Sequence, residues 1–256
     1  MSERPVCEPS TEEILAEVER RRAVARPAPS ERTRALVIAL DRVIFWVTKH
    51  WAAILNGIAL AYVGLPFVAP VLMLAGADGA ARIIHLAYSP MCHQLPQRSW
   101  YLFGPQPAYS VSELLALVGE QELAGRWSRA FIGNPAVGYK VALCQRDVAI
   151  YGTICAAGLV YSVLRRRVRI RPLRWWAYVA FGVLPMLVDG GYQWVSYLVA
   201  AIWPGNPYIQ PHETTPLLRT VTGALFGLAT VWLAFPHVEA TMAEIGENLR
   251  QRFGWQ

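Results

Sequence analysis

Long runs of apolar residues alternate with short polar stretches along this chain, and their lengths predict helices that cross a membrane. The clearest run extends from residue 51 to residue 77 and contains no Asp, Glu, Lys, Arg or His. A helix needs about 20 mainly apolar residues to cross about 30 Å of hydrocarbon. We predict four spans, at about residues 51–77, 141–164, 175–203 and 217–235.

Segments with a helical stripe of apolar residues flank these spans. Residues 35–50 carry an apolar residue at every third or fourth position, and residues 236–256 repeat this pattern. Such stripes are typical of amphipathic helices that lie along a membrane surface. Near the start of the chain, Ser10 and Glu13 have the spacing of a capping box, which predicts a charged helix.

These elements divide the chain into three parts and predict an all-α fold. Residues 1–34 form a charged N-terminal helix and linker, residues 35–235 form the membrane domain, and residues 236–256 form an amphipathic C-terminal helix. Residues 78–140 form a long loop outside the membrane. The predicted fold is a polytopic membrane protein with about four transmembrane helices and flanking amphipathic helices.

Composition supports a membrane protein over a soluble enzyme. Apolar residues make up 54% of the chain and charged residues 16%, against about 45–50% and about 25% in soluble domains. These figures also exclude a disordered chain, a collagen, a coiled coil and a small disulfide scaffold. The net charge of +6 comes from basic residues beside the apolar runs, which is typical of a topology signal and argues against a nucleic-acid partner.

The distribution of basic residues predicts the orientation in the membrane. Residues 1–50 contain nine Lys and Arg, and residues 165–174 contain six Arg, whereas residues 190–218 contain none. Because basic residues are enriched in cytoplasmic loops, we expect a multi-pass protein of the cell membrane with both termini in the cytoplasm. The arginine run is also suited to binding lipid head groups.

In this orientation, ionisable residues from four separate segments lie near the outer face. Ionisable groups at membrane depth are costly, and they usually pair with one another or line a polar cavity. The residues are Cys92, His93 and Arg98 after the first span, Cys144, Arg146 and Asp147 at the second, Asp189 with Gln193 in the third, and His212, Glu213 and Arg219 at the fourth.

Four motifs at these places resemble those of an uncharacterised membrane family, domain of unknown function 2085. The chain reads CHQLPQRS, CQRDVAIY, DGGYQ and LLRTVTG, where the family has CHQxPxRS, CxRCxGIY, DGxxQ and LRxxTG. The resemblance covers roughly residues 50–235. Asp147 stands where the family has a second cysteine, and residues 105–140 lengthen the gap between the first two motifs. The resemblance implies a shared site but no known activity.

Four of these residues could bind a metal ion. Cys92, His93, Cys144 and Asp147 offer ligands that Zn²⁺ or Fe²⁺ accepts in a tetrahedral site. The family's cysteine is replaced by another anionic ligand at Asp147, which favours a metal over a disulfide at that position. A disulfide or redox pair between Cys92 and Cys144 is an alternative, since an outer face permits oxidation. Hydrogen-bonded packing of these side chains is another.

Candidate catalytic residues surround this group. Arg98 and Arg146 could hold a phosphate or a carboxylate with paired hydrogen bonds. Asp189 or Glu213 could act as a general base. The alternative is that the arginines pair internally with Asp147, Asp189 or Glu213, because buried charges are usually paired.

Three hypotheses for the function follow. The first is a metal-assisted enzyme that acts on a lipid-linked or head-group substrate at the outer face. The second is a transporter or a small subunit of a membrane complex, and the third is a thiol or quinone redox helix bundle. The sequence lacks a Rossmann glycine fingerprint, a Walker loop, GxSxG and HExxH, which disfavours nucleotide, serine-hydrolase and zincin chemistry. The expected partners are the lipid bilayer and an anionic or lipid-linked small molecule.

Overall fold

Two very long helices dominate the computed structural model, which describes residues 10–25, 30–123, 129–205, 208–209 and 211–255. At 1.5 Å per residue, the 44-residue helix α2 is about 66 Å long and the 38-residue helix α9 about 57 Å long. Both therefore exceed the roughly 30 Å hydrocarbon core. The helices are α1 (Thr11–Ala25), α2 (Glu31–Leu74), α3 (Asp78–Tyr88), α4 (Val111–Val118), α5 (Glu120–Leu123), α6 (Gln145–Leu164), α7 (Trp175–Ala177), α8 (Leu184–Ile202) and α9 (Pro216–Phe253).

The amphipathic stripes lie within these long helices and not in separate ones. No helix ends near residue 50 or residue 235: α2 and α9 continue through these positions, and Pro236 is accommodated inside α9. The amphipathic part of α2 contacts the C-terminal amphipathic segment. The rings of Phe45 and Trp255 are 5.7 Å apart, and Trp51 Nε1 donates to Glu239 at 3.1 Å. The capping box at Ser10 is confirmed at the start of α1.

Three helices among the described residues are long and apolar enough to cross a membrane, namely α2, α6 and α9. The predicted fourth span is not among them. Residues 175–202 are helical throughout, but the stretch Tyr178–Val183 is a π-helix between α7 and α8. The second span also starts later than residue 141, because residues up to Cys144 form a strand.

The segment between α3 and α6 contains a small sheet that the all-α prediction missed. Its strands are β1 (Ser99–Leu102), β2 (Gly133–Asn134) and β3 (Gly138–Cys144), and they pair antiparallel in the order β1-β3-β2. Strands of two to seven residues carry too little alternation to be recognised in a sequence. The fold is mostly helical, with this sheet packed on a core of Tyr101, Tyr109, Leu114, Leu123, Phe131 and Val137.

The sheet matters because it positions the start of α6. Ser99 pairs with Cys144 across β1 and β3, and α6 begins at the next residue. Helix α6 then packs along α9, where added Cβ atoms at Gly223 and Gly227 would lie 2.8 Å and 2.5 Å from backbone oxygens of α6. This contact between small residues holds α6 against α9, while the sheet holds the start of α6.

Candidate functional site

The ligand atoms of Cys92, Cys144 and Asp147 lie within 4.8 Å of one another. Cys144 caps the N-terminus of α6, and its Sγ accepts from the backbone N–H of Asp147 at 3.5 Å. Cys92 follows α3, and its Sγ accepts from the N–H groups of Cys144 at 3.3 Å and Gln94 at 3.5 Å. Tetrahedral zinc bonds of about 2.0–2.3 Å separate ligands by about 3.3–3.8 Å. Small side-chain movements therefore suffice to surround an ion.

The pKa values of the Cys92 and Cys144 thiols shift in opposite directions. A hydrogen bond from Cys144 lowers the pKa of Cys92, with help from the backbone N–H of Gln94. The same bond, together with burial, raises the pKa of Cys144 well above its ordinary value. Cys92 is therefore the thiol of the pair that loses its proton more readily. A bound cation would displace the thiol protons and make both sulfurs anionic ligands.

His93 lies beside this group but is not among the three close ligands. Its side chain is exposed, and it lines a cavity of about 220 Å³ that the other three residues also line. The predicted four-residue ligand set is thus three residues in one group and a fourth at the wall of the same cavity. The remaining lining residues are Met91, Arg98, Arg146, Gln193 and Arg219.

Glu213 is the centre of a hydrogen-bond network next to this cavity. Its carboxylate accepts from Arg98 at 2.9 and 3.0 Å, from Arg219 at 2.7 Å and from the hydroxyl of Tyr197 at 2.6 Å. Burial opposes ionisation, but the hydrogen bonds from Arg98 and Tyr197 and the two arginine charges outweigh it and lower the pKa of Glu213. A carboxylate held ionised in this way is a weak base.

A second ion pair joins α6 to α8. Arg146 donates to Asp189, which also accepts from the hydroxyl of Thr222 at 3.4 Å. Gly190 leaves room for this pair, since a Cβ there would lie 2.6 Å from Arg146 Nη1. The internal pairing considered for Arg98 and Arg146 is therefore present, although both arginines also line the cavity.

Sequence reasoning missed Lys140, whose side chain is fully buried on β3. Its Nζ donates to the backbone oxygen of Gln94 at 2.7 Å, which fixes the loop that carries Cys92. Burial lowers the pKa of Lys140 to about 7, and the charge of Cys92 partly opposes this shift. The signal in the sequence is one lysine within the otherwise apolar run YKVALC. Glutamines inside the recognised motifs were also passed over: Gln97 and Gln145 are buried and bind Arg219.

Comparisons with known proteins give a family description but no activity. An uncharacterized protein of Methanocaldococcus jannaschii, MJ1492, is 22% identical over 194 residues, which cover 73% of this chain and 92% of the relative. No solved structure matches. Residues 128–233 match a family model described as "Predicted membrane protein (DUF2085)". The resemblance to domain of unknown function 2085 is thus confirmed for residues 128–233, a segment that does not include the CHQLPQRS motif.

Proposed function

We propose that this membrane protein binds a divalent metal, zinc or iron, through Cys92, Cys144 and Asp147 at its extracytoplasmic face. The close approach of three residues that can supply anionic ligands, two thiols and a carboxylate, carries the proposal. Three protein ligands are the usual number in a catalytic zinc site, where a water or substrate takes the fourth position. Here the open side is the cavity that Arg98 and Arg146 line.

The surroundings suit a substrate with an anionic group and an apolar part. Arginines at the cavity can bind a phosphate or carboxylate, and a metal at its wall can polarise that group or activate water. A second, mainly apolar cavity of about 500 Å³ lies between α8 and α9, and Asp189 lines it. Asp189 pairs with Arg146, so the apolar cavity adjoins the polar one. This arrangement supports metal-assisted chemistry on a lipid-linked or head-group substrate.

Loss of any one ligand should remove the metal from the purified protein. Elemental analysis after detergent extraction should find nearly one metal ion per chain in the parent and much less in Cys92→Ser. Cys155→Ala is the matched control, because Cys155 is buried inside α6 and outside the ligand group. A metal-free parent whose thiols react only after reduction would contradict the proposal and favour the Cys92–Cys144 disulfide.

Substitutions at Asp147 should show whether its carboxylate binds the metal or only stabilises the start of the helix. Asp147→Cys should keep the metal, since thiolates are good zinc ligands; Asp147→Ala should lose it, and Asp147→Asn should retain an intermediate amount. A charge at a helix start is worth about 0.3–1 kcal/mol, so a purely structural role would leave the metal content equal in all three variants. That equality would argue against Asp147 as a ligand.

We further propose four spans with both termini in the cytoplasm, the fourth span being α7, the π-helix and α8. The arginine run after α6 and the lack of basic residues in residues 190–218 support this orientation. Leu115 lies in the segment expected outside the membrane, and Val168 lies in the arginine run expected in the cytoplasm. Both side chains are exposed. In intact cells, an impermeant maleimide should label Leu115→Cys and should label Val168→Cys only after permeabilisation. The reverse pattern would overturn the orientation.

A further inference from the structure

A cavity of about 880 Å³ lies at the other end of α6 from the cysteines. One wall is the arginine segment, residues 165–172, which follows the last residue of α6. The opposite wall is the part of α9 that includes Pro236, Glu239, Ala240 and Ala243. The cavity therefore lies beside α9, where the chain continues from the C-terminal end of α6.

The walls carry a large excess of positive charge. Arg165 pairs with Glu239, the one acidic residue that lines the cavity, and the buried Arg165 Nε has no hydrogen-bond partner. The other four arginines of the wall make no ion pair with any residue that the structure describes; they are Arg166, Arg167, Arg169 and Arg171. The cavity thus has about four positive charges without a counterion among the described residues.

The cavity is at the depth of lipid head groups if α6 crosses the membrane. The 20 residues of α6 give a length of about 30 Å, which equals the thickness of the hydrocarbon core. Trp232 stands at the same level and donates from Nε1 to the backbone oxygen of Arg171 at 3.2 Å. Tryptophan is enriched at this boundary between hydrocarbon and water.

We propose that this cavity binds the phosphate of an anionic phospholipid head group. Guanidinium groups form paired hydrogen bonds with phosphate oxygens, and anionic lipids are the abundant phosphates at this depth. A role as a topology signal would explain why the arginines lie on one side of the membrane. It would not explain why they line a cavity together with α9. The proposal rests on α6 as a span and is independent of the metal site.

The test compares lipids and variants in the purified full-length protein. Native mass spectrometry from detergent would measure the affinities for phosphatidylglycerol and for phosphatidylcholine with identical chains. Arg166→Gln/Arg167→Gln/Arg169→Gln removes three charges from the wall, whereas Arg32→Gln/Arg34→Gln/Arg252→Gln removes three elsewhere. Ala240→Trp keeps every charge but fills the cavity from the exposed face of α9.

We expect phosphatidylglycerol to bind more tightly than phosphatidylcholine. The wall variant should bind phosphatidylglycerol roughly 100-fold more weakly, because each arginine near an anionic membrane contributes a factor of about five. Ala240→Trp should also weaken binding, and the control triple variant should not. Unchanged affinity in the wall variant or in Ala240→Trp, or an equal loss in the control, would overturn the proposal. Arginine-dependent binding of inorganic phosphate without phosphatidylglycerol binding would assign the cavity to a soluble anion instead and overturn it too.

Discussion

Arg219→Met should lower the free energy of unfolding by about 3–5 kcal/mol, because it leaves a buried charge network without its central donor. Arg219 is 3% exposed. It donates to Glu213 at 2.7 Å, to Thr214 at 2.9 Å, to Gln145 at 3.0 Å and to the backbone oxygen of Gln97 at 3.2 Å. These acceptors come from three separate segments, so one substitution loosens them all.

Thermal unfolding in detergent, followed by tryptophan fluorescence, would measure this loss. Arg98→Met is the matched control, since Arg98 binds the same carboxylate but its side chain is 24% exposed. Water can replace part of its interaction, and we expect a cost of about 1 kcal/mol. Equal effects of the two variants would show that burial of Arg219 does not set the stability of the network.

Gly227→Ala should destabilise the protein by about 1–3 kcal/mol, the usual cost of adding a methyl group to a packed contact. The added Cβ would lie 2.5 Å from the backbone oxygen of Ile150 and 3.2 Å from Cβ of Thr153. A backbone atom cannot move aside as a side-chain end can, so α9 must separate from α6. The start of α6 carries Cys144, and we expect the variant to hold less metal as well.

Gly152→Ala, on the neighbouring helix α6, provides the comparison. A Cβ at Gly152 meets nothing within 4 Å, and alanine favours a helix over glycine by about 0.5–1 kcal/mol. This variant should unfold at the same temperature as the parent or at a higher one. If both glycine variants behaved alike, close packing of α6 on α9 would not be a source of stability.

The convergence of distant polar motifs could be predicted from the sequence. Ionisable residues near the ends of apolar runs must find partners, and the structure brings the groups of Cys92, Arg146, Asp189 and Glu213 to one region. The sequence left open which residues pair. Pairing of Arg98 with Glu213, 115 positions away, depends on tertiary packing that local patterns do not contain.

Other features lay beyond sequence reasoning for specific physical reasons. The stripe in residues 35–50 indicates an amphipathic face, but it does not say which side of the helix another segment covers. Here Leu36, Leu40 and Val43 of the stripe are exposed. Phe45, which is not part of the stripe, is buried and contacts Trp255 just beyond α9. The sheet was missed because its strands are short and its pairing joins β1 to a strand 36 residues later. Lys140 was passed over because a lysine usually lies at a surface.

The junction of β3 with α6 has a consequence for how the chain matures during synthesis. Cys92 precedes Cys144 by 52 positions, and at about 5–20 residues per second the ribosome needs about 3–10 s to supply the second thiol. The fixed geometry of the cluster does not exist during this interval, because the strand that closes it has not been made. In the orientation proposed above, the nascent chain therefore presents the Cys92 thiol to the oxidising compartment before it presents a binding site, and the timing of translocation decides whether that thiol meets a metal or an oxidant first.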